Sequence, residues 1–243
     1  MNLIIDVGNT YSKIAVFSKG KLLIKKSELH KNTVDVANNL LDRYKSIDKG
    51  IISSVGRLKK KDFSALKKRI PIMVLDHTTK LPYKNDYKTP KTLGVDRIAL
   101  VSASVEKYPD NNVLIIDAGT CVTFDFITDE NVYLGGAISP GIRLRYKTLN
   151  NLTANLPLLD TKAPSHFIGK STAQSMHSGV VNGILYEIDG VIQQYHENYQ
   201  HLTVILTGGD TKFLSKRLKS SIFANSNFLL EGLNYLLEFN TTE

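Results

Sequence analysis

Two aspartates stand in the same local setting. Asp6 follows the apolar run Leu3-Ile4-Ile5 and leads into Val7-Gly8-Asn9-Thr10; Asp117 follows Leu114-Ile115-Ile116 and leads into Ala118-Gly119-Thr120-Cys121. Each stretch reads as a strand, a tight turn and a returning strand, Ser12 to Phe17 in one copy and Val122 to Ile127 in the other. The glycines are expected to supply the positive φ that such turns use. Backbone N–H groups at the turn and a threonine hydroxyl make an anion-binding concavity, and the adjacent carboxylate suits a cation. One copy alone would pass for an ordinary hairpin. Two copies with Asp and Gly in the same register argue for two related halves built on one plan.

Three other segments bear on chemistry. In Leu93-Gly94-Val95-Asp96-Arg97 an acid–base pair opens a helical pattern carried by Ile98, Leu100, Val101 and Val105. Asp suits a helix N-terminus; Arg does not, so its cation invites a carboxylate or other anion. Gly135-Gly136-Ala137-Ile138-Ser139-Pro140-Gly141 marks a backbone that turns sharply or approaches something closely, or a plain loop between strand and helix. Thr207-Gly208-Gly209-Asp210 closes a buried strand and offers bare backbone to a flat ligand. Two familiar motifs fail on spacing. Gly169-Lys170-Ser171-Thr172 imitates the end of a phosphate loop, but Pro164 occupies the place of its first glycine. His196-Glu197 lacks a histidine at position 200, which is Gln200, so no zinc helix is expected.

The elements that must hold these residues follow the same duplication. Residues 2–6, 12–17 and 21–27 read as a three-strand meander with a turn at Lys19-Gly20. A helix over 33–45, a strand from Gly50 to Val55, a basic helix over 60–69 and a strand from Ile72 to Leu75 complete the order of a ribonuclease-H-like domain. The polar stretch Asp76 to Thr92, with Tyr83 and Tyr87, is a junction or substrate loop. In the second half a helix over 142–154 follows the glycine-rich segment. The longest helix starts at a Ser171 or Thr172 cap and carries Met176, Val180, Ile184, Ile188, Val191 and Tyr195. Helices over 212–218 and 228–239, with a short strand near Ile222 between them, close the chain.

Composition narrows the classes. With 243 residues and an internal repeat, two domains are expected, 1–88 and 89–243, the last helix being a candidate to pack back on the first half. No apolar run is long enough to span a membrane, and no signal peptide precedes the first strand, so a cytoplasmic protein is expected. A single cysteine rules out an internal disulfide framework. The formal charge of +8 suits polyanionic partners, nucleotides as well as nucleic acid. The sharpest basic run, Lys59-Lys60-Lys61 with Lys67-Lys68-Arg69, lacks interleaved aromatics and reads as a solvated face. No nucleic-acid partner is expected.

Taken in order, these motifs resemble the acetate-and-sugar-kinase, Hsp70 and actin superfamily, and within it the type III pantothenate kinases. Asp6 to Thr10 and Asp117 to Thr120 are similar to the two phosphate motifs, Thr207 to Asp210 to the adenosine motif, and Gly94-Val95-Asp96-Arg97 to the acceptor and catalytic motif. Cys121 stands where alanine or serine is expected. The resemblance implies an α/β fold of two ribonuclease-H-like domains, the duplicated actin-like ATPase fold, with mixed sheets and flanking helices. It implies transfer of the γ-phosphoryl of ATP to pantothenate, the first step of coenzyme A biosynthesis. It implies that Asp6, Val7, Gly8, Asn9, Thr10, Tyr11, Ser12, Lys13, Thr120, Gly208 and Gly209 meet ATP, and that Asp6 holds the Mg2+ that accompanies it. Tyr87, Gly94, Val95, Asp96, Arg97 and Thr172 would form the pantothenate site, with Asp96 as catalytic base and Arg97 on the substrate carboxylate. Asp117 would hold a monovalent cation, K+ or NH4+. A homodimer is implied, for which the face bearing Gly179, Gly183 and Tyr186 is the candidate seam.

Three rivals are distinguishable. One is another kinase or phosphatase of the superfamily, such as a polyphosphate hydrolase, which would release phosphate without pantothenate and would not need the Asp96-Arg97 pair. A regulatory nucleotide-binding protein would turn nothing over. A nucleic-acid-binding module would lose affinity steeply with salt.

Overall fold

The computed structural model describes residues 1–8, 10–54 and 63–242. Asn9 and the lysines at 59–61 lie outside the described residues, as do residues 60–62 of the basic helix expected over 60–69. The chain divides into two compact units. The first holds Met1–Pro109, Asn131–Tyr133 and Asn227–Glu243; the second holds Asp110–Glu130 and Leu134–Ser226. Residues 89–109 and the final helix thus pack with the first unit.

In the first unit, β1 (Asn2–Val7), β2 (Tyr11–Ser18) and β3 (Lys21–Leu29) form the antiparallel meander. The β2–β3 turn uses positive φ at both Lys19 and Gly20, the geometry of a tight two-residue hairpin. After α1 (Thr33–Arg43), β4 (Lys49–Ser54) pairs parallel to β1; after α2 (Ser64–Lys67), β5 (Ile72–Val74) pairs parallel to β4. The sheet order is β3-β2-β1-β4-β5. Period-two alternation sends Leu3, Ile5 and Val7 into a core with Ala37, Leu40 and Leu41 of α1. The intervening residues Asn2, Ile4 and Asp6 face the other way. There Asn2 donates to Asn234 and Glu238 of α8 (Phe228–Thr241), at 2.7 and 2.6 Å. α8 packs in turn on α3 (Val95–Lys107). The two helices meet so closely that a Cβ on Gly232 would lie 1.9 Å from the Ala99 carbonyl oxygen. Within the polar stretch a two-residue strand, β6 (Lys84–Asn85), pairs parallel with Val132 and Tyr133. Sequence patterning missed it because Lys and Asn are poor strand formers; its partner strand supplies the order.

The second unit repeats the plan. β7 (Asn112–Ala118), β8 (Cys121–Ile127), β9 (Val132–Pro140), β10 (Leu202–Thr207) and β11 (Phe223–Ala224) take the order β11-β10-β7-β8-β9. Of the readings open for Gly135 to Gly141, the plain loop is replaced by the strand β9, and close approach is what Gly136 shows. Gly136 lies so close to β8 that a Cβ would overlap the Phe124 carbonyl, so this glycine serves strand-to-strand approach, while Gly135 carries φ +107°. α4 (Ile142–Asn151) and the long helix cover one face. That helix is α5 (Thr172–His177), one π-helical turn over Ser178–Asn182, and α6 (Gly183–Asn198). Ser171 caps it, accepting the Gln174 N–H. Leu114, Ile116 and Ala118 pack under Ile184, Ile188 and Ile192, which leaves Asp117 on the opposite face. The short α7 (Thr211–Leu214) follows β10.

Replacing Gly232 by alanine forces α3 and α8 apart. Urea unfolding is expected to show a loss of about 1–3 kcal/mol.

Candidate active site

In the first unit, strand register lines three polar side chains across one sheet face. Asp6 pairs with Lys13 on β2 and with Ser53 on β4. Ser53 Oγ donates to Asp6 Oδ1 at 2.9 Å, and Lys13 Nζ lies 3.8 Å from Asp6 Oδ2. Asp6 is only 5 % exposed. Burial pushes its carboxyl above the usual range; Lys13 and the Ser53 hydroxyl pull it down, and the negative charge of Asp96 pushes it up again. That last contribution places Asp96, at the start of α3, within electrostatic reach of Asp6. Ser53 was not singled out in the sequence; its signal is a hydroxyl ending an otherwise apolar buried strand.

Asp96 sits in the first helical turn. Its Oδ1 accepts the N–H of Arg97 at 2.8 Å, and helix α3 is capped by Gly94. A Cβ on Gly94 would lie 2.3 Å from that carboxylate oxygen, so glycine lets Asp96 fold back over the helix start. Arg97 is 5 % exposed, and its guanidinium lies 5.5 Å from the centre of the Tyr87 ring. Tyr87, Asp96 and Arg97 are thereby gathered in one unit with Asp6.

The first turn closes with Gly8 N–H donating to the Tyr11 carbonyl at 3.1 Å. The second closes with Gly119 N–H donating to the Cys121 carbonyl at 2.9 Å. Neither glycine has positive φ, contrary to the expectation from hairpin rules. The loops are longer than the two-residue hairpins that require it, since Val7 pairs with Ser12 and Ala118 with Val122. Val7 and Ser12 are buried, and Ser12 Oγ accepts from Thr33 at 2.8 Å, so neither side chain faces solvent. Thr10 and Tyr11 are exposed.

In the second unit the equivalent row is Asp117, Thr123 and Thr207. Thr123 holds the place in this row that Lys13 holds beside Asp6. Thr123 Oγ1 is buried with no hydrogen-bond partner among the described residues. Gly208 carries φ +95°, and a Cβ there would lie 2.4 Å from Asp117 Oδ1 and 2.3 Å from the Ala118 carbonyl oxygen. The Asp210 N–H donates to that same carbonyl at 2.9 Å. Gly209 opens onto free space. On the other side Gly141 donates to the Thr120 carbonyl at 3.0 Å and leaves no room for a Cβ against Gly119. The exposed Thr120 turn is thus held between two glycine-lined segments. Thr172 is exposed in a groove of about 780 Å3, together with Arg145, Thr148, Met176 and Gly179.

Known proteins can be set beside this geometry. The family model for type III pantothenate kinase matches residues 2–194. The chain belongs to the type III pantothenate kinase family. Among relatives in that family, the type III pantothenate kinase of Christiangramia forsetii is 53% identical over 243 residues, covering 100% of both chains. That of Flavobacterium johnsoniae is 48% identical, covering 98% of each chain. In fold the chain is similar to the activator of 2-hydroxyisocaproyl-CoA dehydratase from Clostridium difficile, with a TM-score of 0.55 and 11% identity over 98% of this chain and 93% of that one. Two mixed sheets with flanking helices agree with the α/β fold that the resemblance implied.

Asp6 holds a proton more tightly when the protein is folded. Its contribution to stability is full below the ordinary carboxylate pKa of about 3.8 and is lost as pH rises through the raised folded-state value. Asp6→Asn is therefore expected to be more stable than the parent at pH 8, by about 1 kcal/mol, and to lose that advantage on acidification. Urea unfolding across pH 4–8 checks it.

Proposed function

We propose that the protein is an ATP-dependent pantothenate kinase, and that the cluster of Asp6, Asp96, Arg97 and Tyr87 is its reaction centre. The observation that carries this reading is the convergence of two carboxylates and a buried guanidinium in one unit of a chain from this family. Phosphoryl transfer is chiefly positioning and charge neutralisation. A neutral alcohol needs a base; Asp96, fixed by the Arg97 amide, takes the hydroxyl proton. Arg97 presents a planar cation to the pantothenate carboxylate, and the face of Tyr87 sets its plane.

Asp6 fits Mg2+, which is bound by one or two carboxylates together with substrate phosphates. Its carboxylate is buried, with the Lys13 ammonium at 3.8 Å. Bound there, Mg2+ would neutralise phosphate charge. The amides of Gly8 and Gly119 are engaged in closing their turns, so the exposed Thr10 and Thr120 are the better phosphate contacts, and Lys13 adds a positive charge beside Asp6. Gly208 and Gly209 offer bare backbone to the adenosine. Asp117 and the orphaned Thr123 hydroxyl fit a monovalent cation, K+ or NH4+, where the first half has a lysine. Thr172 supplies a further acceptor contact.

The protein works in this reading as a cytoplasmic homodimer. Among the described residues no helix is long and apolar enough to cross a membrane, and Cys121 is free. Tyr186 is 64 % exposed on the long helix, and a Cβ on Gly179 would meet nothing within its own chain.

Two outcomes follow. ADP release should require pantothenate, and Asp96→Asn should lower kcat by about 100-fold or more with little change in KM for ATP. ADP release indifferent to pantothenate would overturn the substrate, and an Asp96→Asn enzyme near full rate would overturn the base. Separately, Gly179→Leu should leave the chain folded but weaken the dimer by about 10-fold or more. Sedimentation equilibrium reads this, and an unchanged dimer would remove that seam.

A further inference from the structure

Tyr133 is absent from the site as described, yet it is fully buried at the start of β9 and touches both tyrosines of the substrate loop. Its ring stacks on Tyr87, with centroids 6.0 Å apart and planes at 28°. Its other contact is edge-on with Tyr83, at 6.1 Å and 68°. The loop backbone is tied to the same place. Asn85 pairs with Tyr133 across β6 and β9, and the Asp86 N–H donates to the Tyr133 carbonyl at 3.0 Å. The Asn85 side chain then accepts the Tyr87 N–H at 3.0 Å, fixing the turn that presents Tyr87. Arg97 lies over Tyr87. A continuous stack therefore runs Tyr83, Tyr133, Tyr87, Arg97, with its only fully buried ring at Tyr133.

We infer that Tyr133 is a positioning residue for the acceptor substrate: it holds Tyr87, and through Tyr87 the Arg97 guanidinium, in the orientation that receives a carboxylate. The physical case is one of preorganisation. Offset stacking favours one plane for each ring, and a planar cation follows the ring face beneath it. An aliphatic side chain at 133 fills volume but imposes no plane. Tyr87 and Arg97 then meet the substrate from a wider set of orientations, and binding must restrict them. The nucleotide residues on β1 and β2 make none of these contacts, so the effect should fall on one substrate. The inference rests on the assignment of Tyr87 and Arg97 to pantothenate.

The test uses the full chain with Tyr133→Met and Tyr133→Phe. Expected for Tyr133→Met is a KM for pantothenate raised about 10-fold, with KM for ATP within about 2-fold of the parent. Tyr133→Phe keeps the stack and should return the pantothenate KM to within about 2-fold. A parallel rise in both KM values, an unchanged pantothenate KM, or a Phe variant no better than Met would each overturn the inference. If Tyr133→Met does not fold, Asn85→Ala removes the turn anchor without disturbing the core; it should raise the pantothenate KM alone, by about 3-fold, and no rise would overturn the inference. Amide hydrogen exchange of residues 84–87 without substrates separates this idea from the functional reading. Faster exchange in Tyr133→Met than in the parent supports the stack even if pantothenate proves to be the wrong acceptor, and unchanged exchange defeats it even if pantothenate is right.

Discussion

The arrangement depends on one buried charge, the Asp6 carboxylate. Water is largely excluded from it, and its compensation among the described residues is thin: one hydroxyl at 2.9 Å and one ammonium at 3.8 Å. Neither is optional in this fold, because strand register dictates them. β1 is the central strand, antiparallel to β2 and parallel to β4, so the residues flanking Asp6 on its own face are Lys13 and Ser53. The same alternation turns that face toward the side carrying α8, which packs on α3, and Asp96 lies in the first turn of α3. A carboxylate kept partly desolvated is costly to fold and well suited to a divalent cation, whose arrival relieves the burial penalty.

The second unit uses the same row with different side chains. Asp117 is flanked by Thr123 and Thr207, and the place of the lysine is taken by a hydroxyl with no hydrogen-bond partner among the described residues. Duplicated strands thus give two carboxylates in equivalent positions with different side chains beside them in the row. Close approach of backbone then shapes the space around the second one. Gly208 on one side and Gly141 on the other each occupy places where a Cβ would overlap main chain. These glycines act by leaving room. Only Gly208 also needs its unusual backbone angle.

Much of this was legible in the sequence because it is periodic. The paired Asp-x-Gly turns, the strand alternation and the helical stripe through Ile184, Ile188 and Ile192 all announce themselves at fixed spacing. What escaped notice depends on partners far away in the chain. β6 is two polar residues made into a strand by Val132 and Tyr133. β9 carries Gly135, Gly136 and Pro140, residues that argue against a strand until β8 is seen lying beside them. Ser53 and Tyr133 act through contacts 47 and 46 residues distant, on Asp6 and Tyr87 respectively. The π-helical turn at Ser178–Asn182 interrupts a helix whose apolar pattern continues through it, so nothing in the pattern betrays the extra residue.

The most direct test of the account is a phosphorus balance. The protein would be incubated with ATP, Mg2+, K+ and pantothenate, and the phosphorus species followed by NMR. The account predicts that each ADP is matched by one phosphomonoester on pantothenate, with no accumulation of inorganic phosphate. Inorganic phosphate appearing in step with ADP, with pantothenate left unmodified, would contradict it and make the fold that of a hydrolase.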